Sequence, residues 1–287
     1  MHFVKVKTIL SPKNGMNLYR GCTHGCIYCD SRSDCYGMTH RFEDIEVKSN
    51  AHELLRDALS RKRKPCMIGM GSMCDPYMPI EAELCHTRRA LEIINEYRFG
   101  ATLITKSDLV LRDLDLLRSI NETAKAVVQI TLTTTDDALA RKIEPSAPSP
   151  SRRIAALRAL RDSGIPTVVW MTPILPFITD TEENVRAILD ASFEAGVKGI
   201  VAFGMGVTLR SGSRENFYDG LDVSFPGLSE RYIRTYSNAY NCESPASPEL
   251  MHLFRRECRA HGVMYDPDKI FEYLSDLPEK YEQLSLF

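Results

Sequence analysis

The sequence predicts an α/β protein built from about six consecutive βα units. From residue 65 onward, short apolar stretches alternate with amphipathic helical stretches, with no internal repeat or low-complexity linker between them. The 287 residues are 44% hydrophobic and 26% charged, which is ordinary for a globular protein with a large core. Such alternation implies parallel strands joined by right-handed crossovers, in an open sheet or a partial barrel.

Each element is predicted from its own local pattern. The predicted strands are 15–21, 65–71, 101–106, 125–135, 165–175 and 197–204. The predicted helices are 50–62, 82–98, 109–122, 149–164 and 180–196. Stretch 125–135 is rich in β-branched residues, helix 149–164 begins with Ser-Pro and ends with Gly, and helix 180–196 has an acidic first turn.

The alternation stops after residue 205. We expect 1–205 to form the core and 206–287 to form an irregular, polar and aromatic extension with a short helical tail from Ser247. Within the same compact unit, this extension is expected to cap the open side of the barrel and to set specificity.

Charge and hydropathy restrict the partners and the location. The net charge is −2 and the sequence pI about 6.4, so no global electrostatic attraction to nucleic acid or anionic membranes is expected. The amino terminus lacks the apolar region of a signal peptide, and no apolar run approaches the ~20 residues that cross a bilayer. The sequence therefore predicts a cytoplasmic protein without a membrane partner.

The segment RGCTHGCIYCDSRSDCYG, residues 20–37, contains four of the nine cysteines. Three of them, Cys22, Cys26 and Cys29, have the spacing C-x3-C-x2-C. A reducing compartment keeps such cysteines as thiols or metal ligands rather than disulfides. The loop follows the first strand, and chemistry in parallel α/β folds takes place beyond the carboxyl ends of the strands.

Three kinds of metal site are compatible with this loop. Structural zinc usually takes two short hooks from separate segments, and no second C-x2-C occurs downstream. Three thiolates can instead hold a [4Fe–4S] cluster and leave one iron open for a substrate or cosubstrate. An iron–sulfur electron-transfer protein with Cys35 as fourth ligand, or a zinc-stabilised binding module, remains the alternative from another class.

The C-x3-C-x2-C motif with Tyr28 before its last cysteine resembles the signature of the radical S-adenosylmethionine superfamily. GMGSMCDPYMPIE, LITKS, ITLTTTDDALARKIEPSAPSPSRRIAALRAL and TPILPFITD resemble blocks of its spore photoproduct lyase-like branch, over roughly residues 17–200. The resemblance implies a partial (βα)6 TIM-type barrel, a [4Fe–4S] cluster and S-adenosylmethionine. It also implies that a 5′-deoxyadenosyl radical abstracts hydrogen from a small-molecule or nucleic-acid substrate, with flavodoxin or ferredoxin as electron donor.

The resemblance also implies roles for individual residues. These are the cluster ligands Cys22, Cys26 and Cys29; Tyr28 beside the adenine; Gly69, Met70 and Gly71 near the methionine amino group, with Ser72 after them as a further cofactor-binding residue; Lys106 and Thr131 near the methionine carboxylate; and Glu144 and Arg153 in a structural or ribose-proximal role. A cation and a hydroxyl at adjacent strand ends suit a carboxylate. Without the resemblance, Lys106 reads as a solvated lysine and Thr131 as an ordinary β-branched strand residue.

The match is broken at two positions. Ser72 occupies the place of the lyase's hydrogen-donating cysteine, and Asp30 that of a relay tyrosine. A thiol S–H can donate a hydrogen atom and a hydroxyl O–H is too strong, so Cys74, two residues further on, is the candidate donor. These departures argue against faithful thymine-dimer repair, although a DNA photoproduct lyase remains the alternative. Cys35 is a buried bystander, a second redox group or a ligand of something extra.

Overall fold

The structure of the chain is a computed structural model that describes residues 1–278. Its strands are β1 (His2–Val4), β2 (Gly15–Met16), β3 (Tyr19–Arg20), β4 (Glu46–Lys48), β5 (Met67–Met70), β6 (Gly100–Thr105), β7 (Ala126–Thr131), β8 (Thr167–Trp170), β9 (Gly199–Val201), β10 (Gly206–Thr208) and β11 (Asn241–Glu243). Its α-helices are α1 (Ala51–Ser60), α2 (Glu81–Leu84), α3 (His86–Glu96), α4 (Leu114–Thr123), α5 (Asp137–Ile143), α6 (Pro150–Asp162), α7 (Glu182–Glu194), α8 (Ser213–Ser224), α9 (Leu228–Tyr236), α10 (Ser247–Ala260) and α11 (Pro267–Ser275).

A six-stranded parallel sheet in the order β2-β5-β6-β7-β8-β9 forms the centre of the molecule. Strands β2 and β9 are its two edges, so the sheet stays open as a partial barrel does. The predicted α/β class with about six parallel βα units is therefore confirmed.

Alternate residues of the strands pack on opposite faces of this sheet, as the strand period of two requires. On the outer face, Ile68, Leu103, Val128 and Ile200 are fully buried in a core that they share with the surrounding helices. Burying each such side chain contributes roughly 1.5–3 kcal/mol relative to leaving it exposed, so this helical layer is the main stabilising layer.

The inner face is closed at the amino ends of the strands by helix α11. Ile270 and Leu274 of α11 pack with apolar residues from four strands, namely Met67, Val127, Val168 and Val201. Met67, Val127 and Val168 lie at or near the starts of β5, β7 and β8, so α11 fills the lower half of the interior beside these strands. It also reaches Val201 at the end of the short strand β9. The upper half, at the carboxyl ends, remains available for a ligand.

A second, three-stranded sheet in the order β1-β4-β3 lies in the amino-terminal part of the chain. Strand β4 pairs in parallel with β1 and antiparallel with β3. The cysteine loop begins at the end of β3, so this sheet fixes one end of the loop.

The extension after residue 205 is not irregular, and that expectation was wrong. It contains helices α8 and α9 and the antiparallel pair β10-β11 before helix α10 begins at Ser247. The helical pattern of α8 is weak because only Ser213, Phe217 and Leu221 of its twelve residues are buried.

Three predicted boundaries also differ from the structure. The first strand is interrupted, so that β2 and β3 belong to different sheets. The helix predicted at 82–98 is two helices, α2 and α3, because Cys85 between them has a left-handed backbone with φ of 52°. The helix predicted at 109–122 begins as a 3-10 helix over Asp108–Asp113.

Among residues 1–278, no helix combines the length and the apolar composition that crossing a membrane requires.

Candidate active site

A cavity of about 740 Å³ lies at the carboxyl ends of the central strands. It is lined by residues of the cysteine loop, the ends of β5, β6, β7 and β8, and the extension around β10 and β11. Of the residues predicted from the sequence, the lining includes Cys22, Cys26, Tyr28, Cys29, Gly71, Ser72, Cys74, Lys106 and Thr131. The chain therefore brings most of the predicted site together from separate segments.

Backbone contacts on two sides fix the shape of the cysteine loop. The Cys22 N–H donates to the Phe42 carbonyl over 3.2 Å, and the Ile27 N–H donates to the Ile143 carbonyl over 3.0 Å. Gly21 has φ of +88°, and a Cβ there would lie 2.3 Å from the Phe42 carbonyl oxygen, so only glycine fits this turn. Helix α8 completes the support, because Asn216 donates its side-chain N–H to the Ile27 carbonyl over 2.8 Å.

The three thiols of this loop are free and little exposed. Burial, with the charges of Asp75 and Cys26, raises the pKa of Cys22, and burial is also the main cause that raises the pKa of Cys26 to about 12. Thiols in such surroundings become thiolates only when a metal ion replaces their protons. Three converging thiols of this kind match the donor set of an iron–sulfur cluster, so the residues fit the group that their spacing predicts.

Asp75 was not predicted as a site residue, although it lies in the GMGSMCDPYMPIE block that resembles the lyase-like branch. Its Oδ2 lies 3.0 Å from Nε2 of His24 and accepts the Lys106 backbone N–H over 2.7 Å, while the Thr105 hydroxyl donates to Oδ1 over 2.6 Å. Burial alone would raise the pKa of Asp75, but these contacts outweigh it and lower that pKa to about 2. Asp75 thus joins the cysteine loop, through His24, to the end of β6.

Lys106 and Thr131 are at the ends of adjacent strands and both face the cavity. The Lys106 ammonium lies 5.6 Å from the centre of the Tyr28 ring. Burial would lower the pKa of Lys106, but its interactions with Cys26 and with the Glu144 carboxylate raise that pKa, so the side chain is cationic. Gly71 lies opposite with φ of +99°, and a Cβ there would come within 2.3 Å of the Ile104 carbonyl oxygen.

A buried polar cluster lies behind Tyr28. The Tyr28 hydroxyl donates to Oε1 of Glu144, and Oε2 of the same carboxylate pairs with the Arg153 guanidinium. Arg153 also donates to the backbone carbonyls of Pro148 over 2.8 Å and Thr131 over 3.2 Å. Glu144 and Arg153 do not line the cavity, and they act on it only through Tyr28 and the end of β7.

Cys74 and Ser72 both face the cavity from the loop after β5. The Cys74 thiol is buried and donates to the Tyr19 carbonyl, with Sγ 3.1 Å from the oxygen. Burial raises its pKa to about 12, so Cys74 is a neutral thiol that keeps its hydrogen atom. The Ser72 hydroxyl accepts a hydrogen bond from the Asn17 side chain over 3.3 Å.

Several predicted residues lie outside the cavity. Gly69 and Met70 do not line it, and the Met70 side chain is buried in the outer core. Cys35 is exposed and also lies outside the cavity lining, so the first of its three alternatives, a buried bystander, is wrong. Its sulfur accepts a hydrogen bond from Arg210 over 3.4 Å.

The cavity also contains aromatic and polar residues that sequence reasoning did not single out. Trp170 and Phe203 line it with their rings 5.9 Å apart, and the extension contributes Tyr240, Asn241 and Glu243. Trp170 is the chain's single tryptophan and lies at the end of a strand, and these two features could have predicted it as a site residue. No sequence pattern indicated that Tyr240 or Asn241 would reach the site.

The thiols of the cysteine loop and the Lys106 side chain line one cavity at the carboxyl ends of a parallel sheet, where α/β enzymes have their active sites. A family model described as the radical SAM superfamily matches residues 16–191, more than half of the chain. The chain belongs to the radical SAM superfamily and is an enzyme, and that family implies S-adenosylmethionine and a [4Fe–4S] cluster.

Similar proteins extend this assignment. The chain is 29% identical over 232 residues to a protein of Mycobacterium tuberculosis named as uncharacterized, covering 77% of this chain and 66% of that relative's length. It is 34% identical over 189 residues to an uncharacterized protein of Methanocaldococcus jannaschii, covering 62% of this chain and 69% of that one. A Pseudomonas phage M6 protein named radical SAM Nalpha-GlyT isomerase is 26% identical, covering 63% of this chain and 36% of its own length.

Among solved structures, the fold is similar to that of a spore photoproduct lyase variant with bound AdoMet and dinucleoside spore photoproduct. The TM-score is 0.66 at 15% sequence identity, over 92% of this chain and 80% of the lyase. The predicted partial barrel of the lyase-like kind is thereby confirmed at the level of the fold.

Proposed function

We propose that Cys22, Cys26 and Cys29 hold a [4Fe–4S] cluster and that the cavity beside them binds S-adenosylmethionine and a substrate. When bound, the cluster and its cosubstrate supply reductive cleavage of the sulfonium to a 5′-deoxyadenosyl radical that abstracts hydrogen from the substrate. The observation that carries the proposal is the convergence of these three thiols with Gly71, Lys106 and Thr131 on one cavity.

In this proposal, the residues around the thiols bind and orient the cosubstrate. The buried Lys106 ammonium and the Thr131 hydroxyl bind its carboxylate, because a charge-assisted hydrogen bond is roughly twice as strong as a neutral one. The backbone of Gly71, which lines the cavity, accepts a hydrogen bond from the amino group, and the left-handed conformation of Gly71 lets that backbone reach the ligand. The Tyr28 ring supports the adenine, with its orientation fixed by Glu144.

Cys74 is proposed as the hydrogen donor that returns an atom to the product radical. Its neutral thiol faces the cavity, whereas Ser72 offers only a hydroxyl with a much stronger O–H bond. A one-electron donor such as flavodoxin or ferredoxin completes the proposed reaction by reducing the cofactor. After Cys74 has given up its hydrogen atom it is a thiyl radical, and a second electron from such a donor together with a proton restores the thiol.

Substituting Cys26→Ala tests the ligand assignment. We expect the anaerobically purified variant to lose its iron, its brown colour and its formation of 5′-deoxyadenosine with dithionite. Cys258→Ala is the matched control, because that buried thiol lies in the outer core away from the cavity and should keep all three properties.

Cys35→Ala separates this proposal from a four-cysteine electron-transfer site. Because Cys35 lies outside the cavity, we expect the variant to keep its cluster and to form 5′-deoxyadenosine. Loss of the cluster in Cys35→Ala, or an active Cys26→Ala protein, would contradict the assignment.

A second candidate function is hydrogen abstraction from a nucleobase, as in a DNA photoproduct lyase. It is favoured by the Trp170 and Phe203 rings at the cavity, which can stack a planar base, together with the neutral thiol of Cys74. The fold neighbour named as a spore photoproduct lyase, which binds a dinucleoside spore photoproduct, supports it as well. The test is incubation with deuterated dinucleoside photoproduct, and label in 5′-deoxyadenosine is the supporting result.

A further inference from the structure

Three possible metal ligands come together on the amino-terminal sheet, separate from the cysteine loop's thiols. They are His2 at the start of β1, His40 in the loop before β4, and Glu46 at the start of β4. One ring nitrogen of each histidine and one oxygen of Glu46 all lie within 4.8 Å of one another. In a tetrahedral zinc site with bonds of about 2.0–2.2 Å, ligand atoms are about 3.4 Å apart, so small side-chain rotations suffice.

The fold itself places these residues together. His2 and Glu46 are directly paired in the parallel β1-β4 register, so their side chains lie side by side on one face of the sheet. Nε2 of His40 lies 2.8 Å from Oε1 of Glu46, and the two histidine rings are in edge contact with centres 4.9 Å apart. All three residues are partly buried, so the group is reachable by an ion.

The hydrogen bonding of His40 independently points to a cation. Its Nδ1 lies 3.0 Å from the Arg41 carbonyl oxygen, which can only accept, so Nδ1 carries the hydrogen. In the neutral ring, Nε2 would direct a lone pair at the Glu46 carboxylate, so a positive charge is needed between these two acceptors. Without a metal ion a proton on Nε2 fills this place, and the hydrogen bond to Glu46 accordingly raises the pKa of His40; a metal ion would replace that proton. A metal-binding histidine has this arrangement, with one ring N–H on a backbone carbonyl and the other nitrogen on the ion.

His2 has the corresponding outer contact. Its Nδ1 lies 3.2 Å from Oδ2 of Asp44, and carboxylates commonly orient a metal-binding histidine in this way. Two other cations lie beside this group, and each has its own partner. Arg20 is 3.9 Å from Glu46 and donates to the Tyr36 carbonyl over 2.6 Å, and the Met1 ammonium pairs with Oδ1 of Asp44 over 2.9 Å.

We propose that His2, His40 and Glu46 bind a divalent transition-metal ion of the zinc type, with water in the fourth position. Two imidazoles and one carboxylate suit zinc, whereas calcium and magnesium prefer oxygen ligands alone. The bound ion ties β1 and the loop 37–45 to β4. Strand β3, which pairs with β4, ends at Arg20, and the turn at Gly21 then leads directly into Cys22. The ion therefore stabilises the start of the cysteine loop.

The test measures zinc bound by the untagged full chain after dialysis against zinc and removal of loose metal. We expect the wild-type protein to hold one more zinc ion per chain than the His40→Ala or Glu46→Gln variant. The affinity of the wild-type site for zinc should be at least ~100-fold higher than that of either variant. Asp44→Asn should weaken the site by about 10-fold, because it keeps all three ligands and removes the outer carboxylate that contacts His2 and pairs with the Met1 ammonium. His252→Ala, which removes an exposed histidine of α10, is the matched control and should bind as the wild type does.

Zinc held by the cysteines is distinguished by comparison and by spectroscopy. Zinc held by the cysteines adds the same amount to the zinc content of the wild type and of the variants. Its bonds to sulfur are about 2.3 Å long, whereas bonds to nitrogen or oxygen are about 2.0–2.1 Å. X-ray absorption of the wild-type zinc protein should therefore show the shorter shell, and zinc should raise the wild-type melting temperature more than that of either variant. Equal zinc in all folded proteins, or only a sulfur shell in the wild type, overturns the proposal.

Discussion

Glu144 is the residue on which the buried polar cluster behind the cavity depends. Its carboxylate accepts the Tyr28 hydroxyl and pairs with Arg153, and both ion-pair partners are almost completely buried. Burial would raise the pKa of Glu144, but the positive charges of Arg153 and Lys106 keep it below its ordinary value. A carboxylate held this firmly fixes the Tyr28 ring at the cavity wall.

Replacing Glu144 with Gln is expected to lower the free energy of unfolding by about 3–5 kcal/mol, because the Arg153 charge stays buried without a counter-charge. Urea unfolding of the metal-free protein measures this. The exposed pair Arg158–Glu194 provides the control, and Glu194→Gln should change stability by less than about 1 kcal/mol. Similar losses in the two variants would show that the buried pair has no special role.

His86 gives the protein a pH-dependent stability away from the cavity. Its ring is 7% exposed, and neither nitrogen has a hydrogen-bond partner among the described residues. Burial, together with the nearby His52 and Arg89, lowers the pKa of His86 from 6.5 to about 4. Between these two values the unfolded chain binds a proton that the folded protein does not.

The stability due to neutral His86 is therefore present above about pH 6.5 and is lost as the pH falls towards 4. Urea unfolding at about pH 7 and about pH 5 should show a loss in the wild type that is about 2 kcal/mol larger than in His86→Phe. The control variant His252→Phe, at an exposed histidine, should show the same loss of stability between about pH 7 and about pH 5 as the wild type does. An identical pH dependence in His86→Phe would mean that other groups cause it.

At the scale of elements, helix α8 determines the position of the cysteine loop. Gly220 in α8 faces Ile27, the residue between Cys26 and Tyr28, and a Cβ at Gly220 would lie 2.5 Å from Ile27 Cγ2 and 2.8 Å from Ile27 Cβ. Neither atom is the far end of a flexible side chain, so the loop itself must move. The close approach explains why a helix interior contains glycine here.

Gly220→Ala should therefore weaken the site although alanine is normally the better helix former by about 1 kcal/mol. We expect a lower free energy of unfolding and less iron per chain after reconstitution. Val223→Ala, at a position of α8 that is 84% exposed, is the control and should keep full iron content. A Gly220→Ala protein that is more stable and fully loaded would show that the loop yields without cost.

The sequence predicted the elements whose pattern is local and failed where long-range packing decides. Strands such as β6 and β7 are buried along their length, so a continuous apolar or β-branched run identifies them. Helix α9 was missed because its two flanks, Gly227 and Ser237, and its many polar residues read as a loop, while its buried Tyr232 packs on a distant segment.

The same limit applies to the site. The three cysteines Cys22, Cys26 and Cys29 lie close together in the sequence, so their spacing alone predicted a common site. Asp75 and Trp170 come near them only through the β5 and β8 strand ends, and Tyr240 only through the fold of the extension. A local pattern in a single sequence does not predict contacts between residues that are far apart along the chain.

At the scale of the whole molecule, the extension after residue 205 is part of the core. Leu253 and Phe254 of α10 belong to the outer core, and Ile270 of α11 fills the amino end of the sheet interior. Strand β9 also bonds to the extension, since the Ile200 N–H donates to the Met264 carbonyl over 2.8 Å. The chain over 1–278 therefore has shared hydrophobic cores rather than separable ones.

We expect the metal-free protein to unfold in one cooperative transition, because breaking either part exposes apolar surface of the other. The fluorescence of Trp170 reports on both the central sheet and the extension, because Trp170 ends β8 and its ring lies 6.1 Å from that of Phe271 of α11. This fluorescence and the far-UV circular dichroism should therefore follow the same urea curve. Ile270→Ala should shift both curves together by about 2–5 kcal/mol, the cost of truncating a fully buried side chain. Glu272→Ala, exposed on the same helix, is the control and should shift neither. If Ile270→Ala moves only the fluorescence curve, the extension unfolds by itself and its helices merely cover a barrel that is already stable.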